Sequence, residues 1–442
     1  MADTTADPNA KWHTLPAPDL ARQVEASHRR TLALVADLPE PQWSVPRLEH
    51  LNPFLWELGH TAFFYDVFLR RPLGAKALLL PGADALYDSF AIAHDERWEL
   101  SLPSREETLD YKARVARDVK RRLEGRIPDG RETYLYLLAL AHEAMHIEAL
   151  AAMRQALAYP APPAAAPPPD GGPLPGDADV PGGTFLLGAA PDAPFVFDNE
   201  KWAHAVALAP FRIAKAPVTN AEFAAFVADG GYLRPALWSR QGWRWRQTAN
   251  ANHPVYWERS GGGWVHRHFQ QRLPLSLHAP VVHVNWYEAD AWCRWAGRRL
   301  PTEAEWELAA SGEPAPGGNG YRARKRRYPW GDDPPTPAHA NLDFQCRGCA
   351  DVAAFPAGDS AFGCRQMLGN VWQWTASPFY PFPGYVVDSP YKEYSAPWFG
   401  TRPVLRGGAW ASSAQLVRNT YRNFFLPHRR DIFAGFRTCA KD

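Results

Sequence analysis

Apolar positions recur at helical spacing through the first third of the chain and lose that rhythm afterwards. From Ala17 to Leu38, the residues Leu20, Val24, Leu34 and Leu38 fall at roughly helical spacing, with Asp19 a candidate cap. A second apolar segment runs from Pro53 to Leu69. A third opens at Ser104, with Glu107 three residues on, the spacing of a capping box. A fourth spans Glu132 to Leu157. Four helices of this length predict a bundle over residues 15–158.

Residues 159–181 read YPAPPAAAPPPDGGPLPGDADVP, a run that builds no core and predicts a semi-rigid linker. From 182 to 442 the pattern is one of short apolar runs divided by Gly and Pro turns. Two helices stand out there, Trp286 to Gly297 and Thr302 to Ala310, the second opened by a Thr302/Glu305 capping box. No internal repeat is visible. The expected fold is α+β in two domains, a helical bundle followed by an irregular α+β domain.

Composition narrows the function classes. A length of 442 residues exceeds one hydrophobic core. Lys plus Arg (48) balances Asp plus Glu (47), so no general field favours nucleic acid or an anionic membrane. No run of 18 uncharged apolar residues occurs, and Met1 to His13 carries no apolar leader segment. Five cysteines, an odd and low count, argue for a reducing compartment, so the expected location is the cytoplasm. The 19 tryptophans predict flat surfaces that pack loops or line a pocket.

The sharpest chemical signal is His142-Glu143-Ala144-Met145-His146 on the fourth helix. Positions i and i+4 lie about 40° apart around a helix and about 6 Å apart along it, so both imidazoles can close on one metal ion. Leu135, Leu138, Ala149 and Met153 share that face, which turns the histidines into the bundle. Such a pair is also compatible with two hydrogen-bonded core histidines. A zinc protease is the usual reading of H-E-x-x-H, but its third ligand lies downstream, and here Pro160 and the proline run follow. An upstream third ligand fits better: His60, in Trp56-Glu57-Leu58-Gly59-His60 on the second helix, where Gly59 leaves room beside it. Three neutral histidines leave several coordination positions open, which suits Fe(II) oxygen chemistry. Ligand type alone also admits zinc or nickel.

The C-terminal region is dense in motifs. They include Gly182-Gly183-Thr184-Phe185, Pro217-Val218-Thr219-Asn220, Arg299-Leu300-Pro301-Thr302-Glu303-Ala304-Glu305-Trp306, Gly369-Asn370-Val371-Trp372-Gln373-Trp374, Leu405-Arg406-Gly407-Gly408-Ala409-Trp410 and Gly435-Phe436-Arg437. Together they resemble the formylglycine-generating-enzyme-like domain. The bundle, with Gly59-His60-Thr61 and the histidine pair, resembles the DinB-like domain. Joined in this order, the two resemble the ergothioneine sulfoxide synthase-like enzymes, including their selenoneine-forming branch. That resemblance implies Fe(II) on His60, His142 and His146, with hercynine and O₂ as substrates and sulfur or selenium joined to C2 of the hercynine imidazole. It also implies a tyrosine of the Tyr380 to Tyr385 loop, Tyr380 or Tyr385, as proton donor. True formylglycine-generating enzymes carry a reactive cysteine pair near the C-terminus. Here Cys439 is alone in that tail, and Cys346 and Cys349 read as structural or incidental thiols.

Departures from the ergothioneine pattern bear on the donor. Met145 stands where those enzymes usually have Gln, and Phe425 where the mycobacterial type has an Asp that helps recognise γ-glutamylcysteine. The stretch Leu86 to Leu100 looks more like the selenoneine branch, which takes a selenosugar. Met145, Arg97, Trp98, Asn423, Phe424 and Phe425 are the candidate substrate contacts. A thiol donor, as in an ergothioneine-type synthase, and a non-catalytic small-molecule-binding relative are the alternatives.

Overall fold

A computed structural model describes residues 13–317 and 320–441. The stretch Met1 to His13, but for His13, lies outside the described residues. The chain divides into two compact units. Among the described residues no helix is long and apolar enough to cross a membrane.

The first unit holds the four predicted helices, α1 (Ala17–Ala33), α2 (Phe54–Tyr65), α4 (Arg105–Arg121) and α5 (Gly130–Ala156), and between α2 and α4 a short α3 (Asp84–Tyr87) that the pattern did not predict. In α2 every residue but Leu55 is buried. A helix apolar on all sides belongs at the centre of its unit, and α2 packs on α4 and α3. The capping box at α4 forms as expected. The Ser104 hydroxyl accepts from Glu107 N at 3.3 Å, and the Glu107 carboxylate accepts from Ser104 N at 2.8 Å.

Two segments remote in sequence, Pro191–Asp198 and Val386–Ser395, cluster with the chain up to Arg154 in this first unit. That differs from a division at 158 and 182. The reason is aromatic burial: Phe195 packs on Tyr134, Phe197 stacks on Tyr394, and Tyr391 meets Phe64 edge-on. The Tyr134 hydroxyl also donates to Asp388 at 2.9 Å.

The second unit comprises Gln155–Ala190, Asn199–Tyr385 and Ala396–Asp442. Its proline run, expected as a semi-rigid linker over residues 159–181, is hydrogen-bonded to this unit. Ala165 N and Ala166 N donate to the carbonyls of Phe344 and Gln345, and Gly171 N and Gly172 N donate to the Asp351 carboxylate. Beyond it lie α6 (Asn220–Ala228), α7 (Arg240–Thr248), α8 (Trp286–Trp295) and α9 (Glu303–Ser311), with short strands in small sheets of two to four. Side chains hold much of this unit together. Gln373 Oε1 accepts from Trp306 Nε1 at 2.8 Å and from Arg437 Nε at 2.7 Å, and buried Arg406 and Arg422 pair with Glu307 and Glu303. Gly407, at φ +102°, sits where a Cβ would lie 2.6 Å from the Met367 carbonyl. The C-terminal motifs are therefore the framework of an irregular fold.

Candidate metal centre

The periodicity of α2 and α5 turns His60, His142 and His146 toward one another in the first unit. One ligand nitrogen of each lies within 4.8 Å of the others. The Nε2 atoms of His142 and His146 are 3.3 Å apart. Two nitrogens each about 2.1 Å from one ion, at an angle between octahedral and tetrahedral, sit at that spacing.

Each ring is held from behind. His60 Nδ1 donates to the Tyr87 carbonyl at 2.8 Å. A carbonyl only accepts, so Nδ1 carries the proton and Nε2 presents its lone pair. His146 Nδ1 donates to Glu57 at 2.5 Å, the carboxylate–imidazole pairing typical of metal-bound histidine. His142 stacks on Phe64, with centroids 3.6 Å apart and planes at 9°. Its buried Nδ1 has no hydrogen-bond partner among the described residues. Burial, with the neighbouring His146, pushes His60 down to about 3 and His142 well below the usual histidine range, so both stay neutral. Neutral imidazoles are what a divalent ion requires, and the donor set fits one. Burial raises the Glu57 carboxyl, but the neighbouring His146 and the hydrogen bonds from His146 and Asn52 outweigh it and hold it at about 2.

Glu143, the acid inside the histidine pair, faces elsewhere. It accepts from Lys112 at 2.6 Å, Thr31 at 2.7 Å and Tyr65 at 2.9 Å, all buried. It is locked in an ion pair, with no oxygen left for the base role of a zinc protease.

The other sequence candidates fall in both units. Met145 accepts a contact from the Tyr394 hydroxyl at 3.8 Å, within the first unit. Arg97 lies 4.0 Å over the Trp56 ring and donates to Asn52. Trp98 donates to the Val45 carbonyl at 2.7 Å and packs on His94. The remainder belong to the second unit. Phe424 stacks on Phe379, Asn423 Oδ1 accepts from Phe424 N, and Phe425 lies under Arg429. Tyr385 packs edge-on to Phe399, and Tyr380 is 54% exposed.

Within the first unit a further tyrosine stands beside the histidines, Tyr391, its ring 5.9 Å from that of His142 and 4.9 Å from that of Phe64. Burial raises its hydroxyl above the usual tyrosine value, aided by Glu393, Asp198 and Asp88, so it keeps its proton. Sequence reasoning missed it. The signal was only the density of aromatics between Phe379 and Phe399, which does not say which one turns inward.

These features define a protein with a three-histidine centre able to hold a metal ion, set in a helical bundle and joined to an irregular α+β unit. Residues 23–150 match the DinB superfamily, and residues 163–442 match the Sulfatase-modifying factor enzyme 1-like domain. The chain is 39% identical over 425 residues to the hercynine oxygenase of Mycobacterium tuberculosis, covering 95% of this chain and 97% of that one. It is 39% identical over 446 residues to that of Mycolicibacterium thermoresistibile, covering 95% and 94%. A formylglycine-generating enzyme of Streptomyces coelicolor is 34% identical over 65% of this chain and 96% of its own. The chain belongs to the family of the hercynine oxygenases. The formylglycine-type relatives share less of it. Cys349 donates to the Asn370 carbonyl at 3.4 Å, and burial pushes its thiol up to about 12, which favours the protonated form.

Proposed function

We propose that the chain is an Fe(II)- and O₂-dependent enzyme that joins a selenosugar to C2 of the hercynine imidazole, forming a C–Se bond on the path to selenoneine. The convergence of His60, His142 and His146, in a chain similar over its length to hercynine oxygenases, carries this reading. Bound there, Fe(II) supplies O₂ activation and open positions for the two organic substrates. The chain's own residues do the rest. Phe64 and Tyr391 lie beside His142, and Phe68 and Phe90 pack on Tyr391 behind them. Such faces suit the quaternary ammonium of a betaine. Tyr391, buried beside His142, is a further candidate to hand over a proton, alongside Tyr380 and Tyr385. Met145, which accepts from the Tyr394 hydroxyl, offers no charged partner, and the Phe425 side chain offers none to an amine. Each charged group of γ-glutamylcysteine left unpaired would disfavour that donor by roughly 1–3 kcal/mol.

The test is a competition. Iron-loaded protein receives hercynine and O₂ with a selenosugar and γ-glutamylcysteine at equal concentration, and kcat/KM is read for each by product mass. The expected result is a preference for the selenosugar. A preference for the thiol makes this an ergothioneine-type synthase and leaves the metal centre unchanged. His60→Ala is expected to lose iron and turnover together, and full activity would remove His60 from the centre.

A further inference from the structure

Two of the three histidines lean on side chains that lead back to one residue, Arg97. The first route is hydrogen-bonded. Arg97 Nη1 donates to Asn52 Oδ1 at 2.8 Å, Asn52 Nδ2 donates to Glu57 Oε1 at 2.5 Å, and Glu57 Oε2 accepts from His146 Nδ1 at 2.5 Å. The second is stacked. The Arg97 guanidinium lies 4.0 Å over the Trp56 indole, which lies nearly parallel to His60 at 4.6 Å and 10°. Helical geometry builds both routes into α2, because Trp56 and Glu57 stand four and three residues before His60.

We propose that Arg97 and Asn52 are positioning residues of the metal centre, orienting His146 through Glu57 and clamping His60 through Trp56. A buried carboxylate is held only as well as both its oxygens are. Without Asn52, Oε1 of Glu57 loses its donor and the group can rotate away from His146. Arginine suits the double role, because its edge donates while its planar face stacks; a lysine ammonium cannot do both. Arg97 lies in the stretch that the sequence resemblance ties to donor choice. On this inference, changes there act on the metal centre from behind. The inference rests on the reading that the three histidines hold a metal.

The test is a Co(II) titration of the full-length, metal-free chain, read by chelator competition and by the visible ligand-field bands. Arg97→Met and Asn52→Leu are expected to weaken Co(II) binding about 10- to 100-fold and to shift the bands. Arg97→Lys should fall between them and the parent. Arg105→Met, which removes a comparable guanidinium 4.2 Å over Trp43 in the same unit, should leave both readouts unchanged. Should Asn52→Leu fail to fold, Arg97→Gln at its half-buried position carries the same test. Parent-like affinity and bands in the folded Arg97 variants, with binding abolished in His142→Ala, overturn the relay alone. Co(II) binding retained by His142→Ala overturns the three-histidine reading beneath it.

Discussion

Gly59 shows how a missing side chain can govern the residue beside it. A Cβ there would lie 2.1 Å from Tyr87 Cζ and 2.2 Å from Cε1, and the Tyr87 carbonyl is the group that orients His60. Gly59→Ala is therefore expected to cost roughly 1–3 kcal/mol by overpacking and to weaken metal uptake as well, measured by thermal melts and by metal content after dialysis. Metal content equal to the parent would separate Tyr87 from the centre. The sequence suggested that Gly59 makes room beside His60; the structure shows that Tyr87 fills it. Glu143 is the complementary case. Its charge is neutralised in a buried pair with Lys112, and removing one partner of such a pair costs roughly 3–5 kcal/mol. Glu143→Gln is expected to lower the melting temperature clearly while product formed per bound iron stays measurable. Loss of turnover in folded, iron-loaded protein would give Glu143 a direct part in the chemistry.

Among elements, the end of α4 is tied to the turn after α2. Asp118 accepts from Arg70 Nε at 2.7 Å and Arg122 Nε at 2.9 Å. Burial pushes its carboxyl up, but the two arginines outweigh this and take it from 3.8 to about 2. Because the folded value is depressed, the pair stabilises fully above the unfolded value and loses that contribution as pH falls from about 4 through about 2, roughly 2–3 kcal/mol in all. Asp118→Asn should flatten the acid limb of the melting-temperature profile in that window, and an unchanged limb would show that Asp118 gains nothing from folding. Helix starts were the most legible feature of the chain. Ser104/Glu107 and Thr302/Glu305 both form their boxes, since capping is a contact across three residues. Thr219/Glu222 and Asn285/Glu288 obey the same rule and were there to be read.

For the whole molecule, the first unit includes Pro191–Asp198 and Val386–Ser395, so a fragment ending at residue 160 lacks Phe195, Phe197, Tyr391 and Tyr394. Such a fragment is expected to melt below the full chain, bind an apolar dye at the uncovered faces of Phe64 and Tyr134, and turn over no hercynine. A fragment as stable as the full chain would show those segments to be dispensable to the unit. Helical periodicity, the i, i+4 histidine pair and the upstream Gly59-His60 were enough to place three imidazoles on neighbouring helices, because these signals are local and repeat along one element. Which tyrosine stands beside them, which way Glu143 faces, and that Arg97 reaches His146 through Asn52 and Glu57 depended on tertiary structure. Each is a contact between positions tens to hundreds of residues apart, selected by which aromatic and charged groups bury together, and chain spacing carries no record of that choice.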